Sequence, residues 1–443
     1  MASIFLFHRD LRIHDNVGFN ECIKNNTPII PLFIFTPEQV DKKQNPYFSD
    51  AAFQFMLESL DDLNDQLHNN LNKMYGNNII VLSKIKKSHN ITHLYTNCDY
   101  TPFAKKRDSN IEKWCDDNNI KYVAFEDYPM HPIDHPLTIL KPDRPYLKYT
   151  PFFNKASNAK VPIPEYTSIP NPTMRLIKLN VPGTTLPKSL TTQANQANTS
   201  YTSFTPIAKG GRKNALERLK HLHTLTHYDK TRDIPSIDGT TRLSPYLKFG
   251  CLSIREVYAE AKKLPSQASL ALIKELFWRD FYLRITHYMP KVLEGQTVRT
   301  MHHSIPWRTS QNDFKRWCEG RTGVPMVDAG MRQLNTTGWM HNRCRMIVSM
   351  FLTKNLLIDW RAGERYFATK LIDYDPSSNN GGWQWSSSTG VDSQPYFRIF
   401  NPYLQGQRFD PDAAYIKRFV PELAQYDPKQ INTDGAPDLP EPI

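Results

Sequence analysis

A chain of 443 residues is long enough for two or three domains and a large core, and its net charge of +11 favours a polyanionic partner over an acidic or apolar one. Its 6 cysteines are scattered without C-x-x-C spacing, which argues against a zinc or iron–sulfur site and for a reducing compartment. The N-terminus runs straight into an apolar strand and no segment approaches the ~18 apolar residues of a membrane span, so a soluble, intracellular protein without a membrane partner is expected.

Residues 1–130 alternate strand and helix. Residues 4–7 read as the first strand, followed by a polar run at 8–12 and a helix from Asn16. The second strand is at 29–35, with Pro31 inside it. Residues 49–69 carry Phe53, Met56, Leu57, Leu60, Leu63 and Leu67 at helical spacing. Further strands are expected at 79–82, 93–96 and 122–125, with a helix over 104–118. Such alternation predicts an α/β domain built on a doubly wound parallel sheet. No G-x-G-x-x-G follows the first strand, so the sheet is not an ordinary nicotinamide site.

Prolines cluster between 131 and 205, and 189–203 is rich in Thr, Gln, Asn and Ser; this stretch is expected to be an inter-domain connector wrapped on the surface. From 206 to 443 the periods are helical, at 214–222, 253–263, 268–289, 311–319, 324–335, 339–354 and 364–372, with polar loops after Pro402. An all-α domain is expected there.

Chemistry-bearing residues are densest at 338–402. Asp373 and Asp375 precede Asn379-Asn380-Gly381-Gly382, read as a turn opening a helix, and Trp383 and Trp385 follow it. Helical positions two apart point ~200° from one another, so one indole is expected to face inward and the other a cavity or surface. Trp339, Met340, His341, Asn342, Arg343 and Arg345 lie in the same span. Core packing does not require that mixture, whereas a planar, anionic cofactor beside a stacking substrate would.

Tyr228 and the run Gly239-Thr240-Thr241-Arg242-Leu243-Ser244 make a hydroxyl-rich loop before a helix, either a diphosphate site or a plain helix cap. Glu275, Trp278 and Arg279 share one helical face, which is either solvated or used for binding. Asn342, Arg343 and Met346 cluster in the same way. Arg345 with Asp373 or Asp375 makes either a structural ion pair or a cofactor contact. Trp307, Trp360 and Trp383 stand on separate segments, and spacing alone leaves them core aromatics.

With these residues assembled, the chain resembles the photolyase/cryptochrome family over nearly its whole length. The run Phe7-His8-Arg9-Asp10-Leu11-Arg12-Ile13-His14-Asp15-Asn16 resembles the family's opening, and 240–244, 275–279, 338–346 and 371–402 resemble its flavin and substrate segments. The resemblance implies an all-helical C-terminal domain holding a U-shaped FAD, active as FADH⁻. It implies flavin contacts from Tyr228, Thr240, Thr241, Arg242, Leu243, Ser244, Glu275, Arg279, Trp339, Asn342, Arg345, Asp373, Asp375 and Asn379. It implies an electron relay from flavin to surface through Trp383, Trp360 and Trp307. Around a damaged base pair it implies Arg232, Glu275, Trp278, Asn342, Arg343, Met346, Trp385 and Arg398.

Relatives acting on (6-4) photoproducts carry two histidines where Asn342 and Met346 stand here, and without an imidazole acid that reaction is not expected. Facing flavin N5, plant cryptochromes have aspartate and animal ones cysteine; this chain has Asn379. These residues, with Trp385 and a chain that ends soon after the homologous core, resemble class I cyclobutane pyrimidine dimer photolyases, which are carbon–carbon lyases. The activity implied is light-driven repair by a monomer acting on damaged DNA, duplex or single-stranded, with the dimer flipped out between Trp278 and Trp385. Glu275 is expected to hydrogen-bond a pyrimidine carbonyl, and Asn379 to face the flavin. A cryptochrome-type photoreceptor without repair is the alternative. A second, antenna chromophore is implied too. Ala104 stands near the glutamate of folate-binding relatives, which points away from folate and leaves a deazaflavin, another flavin or none. Leu272 replaces a common Trp before the Glu275 motif, and Lys274 follows it.

Overall fold

A strand that is apolar on both sides must lie inside a sheet covered on both faces. The computed structural model, which describes residues 1–25, 27–170, 172–185, 187, 205–299, 302, 304–393, 395–433 and 441–442, places residues 2–7 in that way. Five strands, β1 (Ala2–Phe7), β2 (Ile29–Phe35), β3 (Asn72–Tyr75), β4 (Ile91–Asn97) and β5 (Lys121–Phe125), form one parallel sheet in the order β3-β2-β1-β4-β5. Alternation sends Phe5, Phe7, Phe33 and Phe35 to one face and Ile4, Leu6, Leu32 and Ile34 to the other. The phenylalanine face belongs to a core that continues without a break into the helical region, through Tyr246, Phe277 and Phe281.

Residues 79–82 are not a strand. They lie in the helix Asn78–Ser88, and the third strand is the shorter, less apolar Asn72–Tyr75. A four-residue apolar run fits either structure. Asn77 decides it locally, its side chain accepting from the amides of Ile79 and Ile80 as a helix cap.

Helices follow at Arg212–Lys220, Ser244–Lys248, Ile254–Ala261, Ser266–Tyr288, Gln311–Glu319, Pro325–Thr337, Asn342–Met350, Trp360–Lys370 and Pro376–Ser386. Beyond Pro402 the chain does not return to polar loops. Helices Pro402–Phe409, Ala414–Phe419 and Pro428–Ile431 bury Phe409, Tyr415, Ile416 and Ile431. These helices are too short to show a period; the side chains of Asn401 and Asp427 start two of them as caps. Among the described residues no helix is long and apolar enough to cross a membrane. Within 131–205, the helix Tyr149–Ala156 buries Tyr149, Phe152 and Ala156 in the main core, so part of this stretch is interior. The polar run 189–203 lies outside the described residues.

Sheet and helices are joined by buried ion pairs. Arg12 Nη2 donates to both Asp127 oxygens at 2.8 Å, and Arg255 reaches Asp127 Oδ1 and Asp15 Oδ2, also at 2.8 Å. Burial pushes the Asp127 carboxyl up, but the Arg12 and Arg255 guanidiniums outweigh it and hold the group below the usual carboxylate range. The turn after the helix Ser244–Lys248 meets the segment that follows β1 closely at Gly250, where φ is +68° and a Cβ would come within 2.3 Å of the Arg9 carbonyl oxygen. Removing one partner from such a cluster leaves buried charge uncompensated. Asp127→Ala is therefore expected to cost about 3–5 kcal/mol, measured as a lower urea midpoint.

Candidate functional site

The long helix Ser266–Tyr288 aligns Glu275, Trp278, Arg279 and, one turn on, Tyr282 along the wall of a cavity of about 530 Å³. Asn342, Arg343, Arg345 and Met346 line it from the helix Asn342–Met350, and Asn379, Trp383 and Trp385 from the helix Pro376–Ser386. Arg232, Ser244, Asp373 and Asp375 also line this cavity. A smaller cavity of about 220 Å³ shares Ser244, Glu275, Arg279, Arg345, Asp373 and Asp375 with it and adds Tyr228, Thr241 and Leu243.

Asn379-Asn380-Gly381-Gly382 is not a turn; it lies inside a helix that starts at Pro376. Asp375 caps this helix through Ser378 N at 2.9 Å, and Pro376 fits the first helical position. Gly381 answers to packing, since a Cβ there would sit 2.1 Å from the ring of Tyr282. On this helix the two indoles diverge as expected. Trp383 is 2% exposed and meets Phe367 and Trp317 edge-on at 5.0 and 6.0 Å, while Trp385 is half-buried at the cavity.

The two aspartates differ in how fully the protein satisfies them. Asp373 Oδ2 accepts from Ser244 Oγ at 2.6 Å and Arg345 Nη2 at 2.8 Å, while its buried Oδ1 has no partner. Asp375 has both oxygens engaged: Oδ1 caps the helix and Oδ2 accepts from Arg9 Nη1 at 3.1 Å and Tyr128 OH at 2.8 Å. Burial pushes the Asp375 carboxyl up, but Arg9, the Ser378 amide, Arg279 and Tyr128 outweigh it and hold it at about 2. Arg232 Nη1 donates to Glu275 Oε1 at 2.6 Å. Asn379 gives its amide N–H groups to the carbonyl and carboxyl of Glu364, at 3.3 and 3.0 Å, which leaves Oδ1 as its free acceptor. Burial raises the Glu364 carboxyl above its ordinary range.

Other expected site residues stand further out. Trp339 is buried, with the Arg242 and Arg345 guanidiniums 5.8 and 5.9 Å from its ring centroid, and the Thr240 carbonyl accepts from Arg218 at 2.7 Å. Arg398 lies in a separate small pocket with Arg343 and Arg408. Trp360 and Trp383 belong to one buried cluster, against which the half-buried Trp307 packs. Leu272 lines the smaller cavity, Lys274 is exposed, and Ala104 is buried on the helix Pro102–Asp117. Sequence reasoning missed Tyr282, although the period that linked Glu275 to Arg279 continues to it. It also missed Glu364, which no spacing announces.

Residues 3–171 match the family model described as DNA photolyase, and residues 272–441 the one described as FAD binding domain of DNA photolyase. The deoxyribodipyrimidine photo-lyase of Alkalihalophilus pseudofirmus is 36% identical over 440 residues, covering 94% of this chain and 86% of the relative. The crystal structure of an archaeal photolyase from Sulfolobus tokodaii, described with two FAD molecules, has a TM-score of 0.85 at 38% identity, covering 100% of this chain and 96% of that one. A cryptochrome from Synechocystis has a TM-score of 0.85 at 27% identity, covering 98% and 92%. The chain belongs to the photolyase/cryptochrome family, and residues 272–441 are its FAD-binding domain. The cavity suits that cofactor. The unpaired Asp373 Oδ1 awaits a donor, and Arg279, Arg345 and the Ser378 hydroxyl offer hydrogen bonds to an anionic dinucleotide, while Ser244, its proton given to Asp373, can only accept.

His341, the cap of the helix Asn342–Met350, accepts from Arg343 N at 3.1 Å while its Nε2 has no partner. Burial, then Arg343 and Arg345 against the opposing pull of Asp233, lowers its imidazole to about 4. It is neutral in the folded protein where the unfolded chain is charged, so stability is full above the ordinary histidine value and falls as pH drops from 6.5 towards 4. His287, also lowered to about 4, acts in the same window. His341→Asn keeps a capping side chain and is expected to remove up to about 3 kcal/mol of this pH dependence, read from urea midpoints at neutral and acid pH.

Proposed function

We propose that this chain is a deoxyribodipyrimidine photo-lyase that repairs cyclobutane pyrimidine dimers in DNA. The observation that carries the reading is a single cavity in which a cofactor-type set (Ser244, Arg279, Arg345, Asp373, Asn379) adjoins a base-type set (Glu275, Trp278, Asn342, Met346, Trp385). Tyr228, Thr241 and Leu243 would extend the FAD site into the smaller cavity, with Thr240, Arg242 and Trp339 supporting it from outside. FAD held there in its reduced form would supply a photoexcited electron for cleaving the C5–C5′ and C6–C6′ bonds of the dimer, a chemistry without net redox change because the electron would return.

The chain's own residues bind, orient and tune. Arg343 and Arg398, in a pocket with Arg408, engage backbone phosphates, a salt-sensitive contact that positions without reading sequence. A dimer is already poorly stacked, so extruding it costs less than extruding a normal pair. Trp278 and Trp385 receive it, stacking contributing ~1–3 kcal/mol per base. Glu275 meets Arg232 at 2.6 Å, and an ion-paired carboxylate only accepts. Its hydrogen bond with a pyrimidine therefore comes from the imide N–H, not towards a carbonyl; carbonyl donors are left to the Asn342 amide. Asn379 Oδ1, fixed by Glu364, is presented to the flavin as an acceptor. Trp383, Trp360 and Trp307, set in one apolar cluster, are the proposed relay between cavity and surface.

The same proposal divides the chain into a sheet domain (1–130), a connector (131–205) and a catalytic helical domain (206–443), acting as an intracellular monomer on duplex or single-stranded DNA. A second chromophore, a deazaflavin or flavin, would sit at the C-terminal ends of β1 and β4, where the strand order reverses. The rival reading is a cryptochrome-type photoreceptor, and the equal TM-score of a cryptochrome structure means that fold does not exclude it.

Illuminating the reduced protein with a dimer-containing oligonucleotide is expected to restore absorbance near the thymine band, and unchanged absorbance would favour the photoreceptor. Glu275→Ala is expected to lower the repair yield several-fold with the FAD spectrum intact. Trp383→Phe should abolish light-driven reduction of the oxidised protein yet spare repair once the protein is reduced chemically, read from visible spectra and the same oligonucleotide.

A further inference from the structure

One face of the Trp278 indole is already occupied. Tyr149 lies on it with ring centroids 3.7 Å apart and planes 5° from parallel, the shortest ring contact among the described aromatic pairs. Rings this close and this nearly parallel are in van der Waals contact across their faces, so the indole cannot turn without displacing the tyrosine. Tyr149 is 7% exposed, and its hydroxyl donates to the Lys274 carbonyl at 2.6 Å, one turn before Trp278 on the same helix. Phe281 meets the rings of both Tyr149 and Trp278 edge-on, at 5.8 and 5.5 Å.

The segment holding Tyr149 is tied on its other side to the region that follows Trp385. Asp392 N donates to Leu147 O at 3.2 Å, and Lys148 pairs with the Asp392 carboxylate at 3.5 Å. Residues 147–149, part of the stretch read from the sequence as a surface connector, therefore touch the helix that carries Trp278 and the segment that follows the helix carrying Trp385.

We propose that Tyr149 is a positioning residue for substrate recognition: it fixes the plane of Trp278 so that an extruded pyrimidine dimer meets an indole already in place. The inference rests on the reading of Trp278 as a dimer contact. A half-buried indole without a backing ring loses torsional freedom when a base stacks on it, and that loss subtracts from affinity. With Tyr149 behind it, the freedom is lost on folding instead. The tyrosine itself need not touch DNA.

The test is dark binding of a dimer-containing oligonucleotide, and of the undamaged one, to the FAD-loaded full chain. Tyr149→Leu is expected to weaken dimer binding about tenfold while leaving undamaged DNA within about twofold and the FAD spectrum unchanged. Tyr149→Met, a flexible side chain that fills similar space without a flat face, should do the same and serves if the leucine variant does not fold. Tyr149→Phe keeps the ring and should bind within about twofold of the wild type. In a Trp278→Ala background, Tyr149→Leu should cost no further affinity. Equal losses in the two backgrounds, a Phe variant as weak as the Leu variant, or unchanged dimer binding by Leu and Met would each overturn the proposal. If Trp278→Ala alone leaves dimer binding unchanged, the assignment of Trp278 falls and takes this inference with it, whereas failure of the Tyr149 variants alone leaves that assignment standing.

Discussion

The cavity depends on a carboxylate that no ligand needs to satisfy. Asp375 is buried, and burial alone would push it towards neutrality; Arg9, reaching across from the end of β1, is the main force holding it charged. Its other oxygen caps the helix Pro376–Ser386, so one side chain fixes where that helix begins and what it points at. Tyr128, just past β5, donates to the same carboxylate and is itself held between two guanidiniums, Arg9 at 3.9 Å and Arg279 at 3.5 Å from its ring centroid. The C-terminal ends of the sheet thereby orient Asn379, Trp383 and Trp385 on one helix and Arg279 on another. Sheet and helices are chemically one object at this point, and the continuous core behind it agrees.

Against that fixed point, Asp373 has the opposite character. It lies two residues away and shares the cavity wall, yet one of its oxygens has no partner among the described residues. A buried acceptor left unpaired costs ~1–3 kcal/mol, which a bound donor would recover. Ser244 and Arg345 hold the other oxygen, so the free one cannot swing away to satisfy itself. One aspartate supplies rigidity and the other supplies demand for a ligand, and the first makes the second effective, because an unpaired group promotes binding only if the wall around it cannot relax. Lys248, on the wall of the smaller cavity, shows the same tension from the cationic side, pushed down to about 8 by burial and then by Arg9.

What the sequence made legible followed from periodicity and composition. Strands such as β1 and β2 stand out because both faces are covered, and the faces carrying Glu275, Trp278 and Arg279, or Asn342 and Met346, follow from helical geometry alone. What stayed hidden was settled by neighbours distant in sequence or by a single cap. The glycine at 381 looks like a turn until Tyr282 is seen to need the space of its missing side chain, and 79–82 looks like a strand until Asn77 is seen capping the helix. Tyr149 was invisible as a site residue because its partner, Trp278, is far away in sequence and its own surroundings read as a proline-rich strap. The ion pair that makes Glu275 an acceptor likewise depends on Arg232, on a separate segment.

The fold narrows the chemistry without choosing it. A photolyase and a cryptochrome superpose on this chain with the same TM-score of 0.85, so the overall fold does not separate repair from signalling, and the side chains of the site carry the argument instead. Asn379 illustrates how little is required. An unrestrained amide can present either its oxygen or its N–H₂ group to a ligand, and the two choices are opposite in electrostatic sign. Glu364 accepts from the Asn379 amide at its carbonyl and at its carboxyl, which leaves Oδ1 as the free acceptor of a residue that lines the cavity. An aspartate at the same position would bring charge, and a cysteine could not accept as strongly. The character of the site therefore rests on a residue outside the cavity wall: Glu364 converts a side chain with two possible faces into one with a single sign.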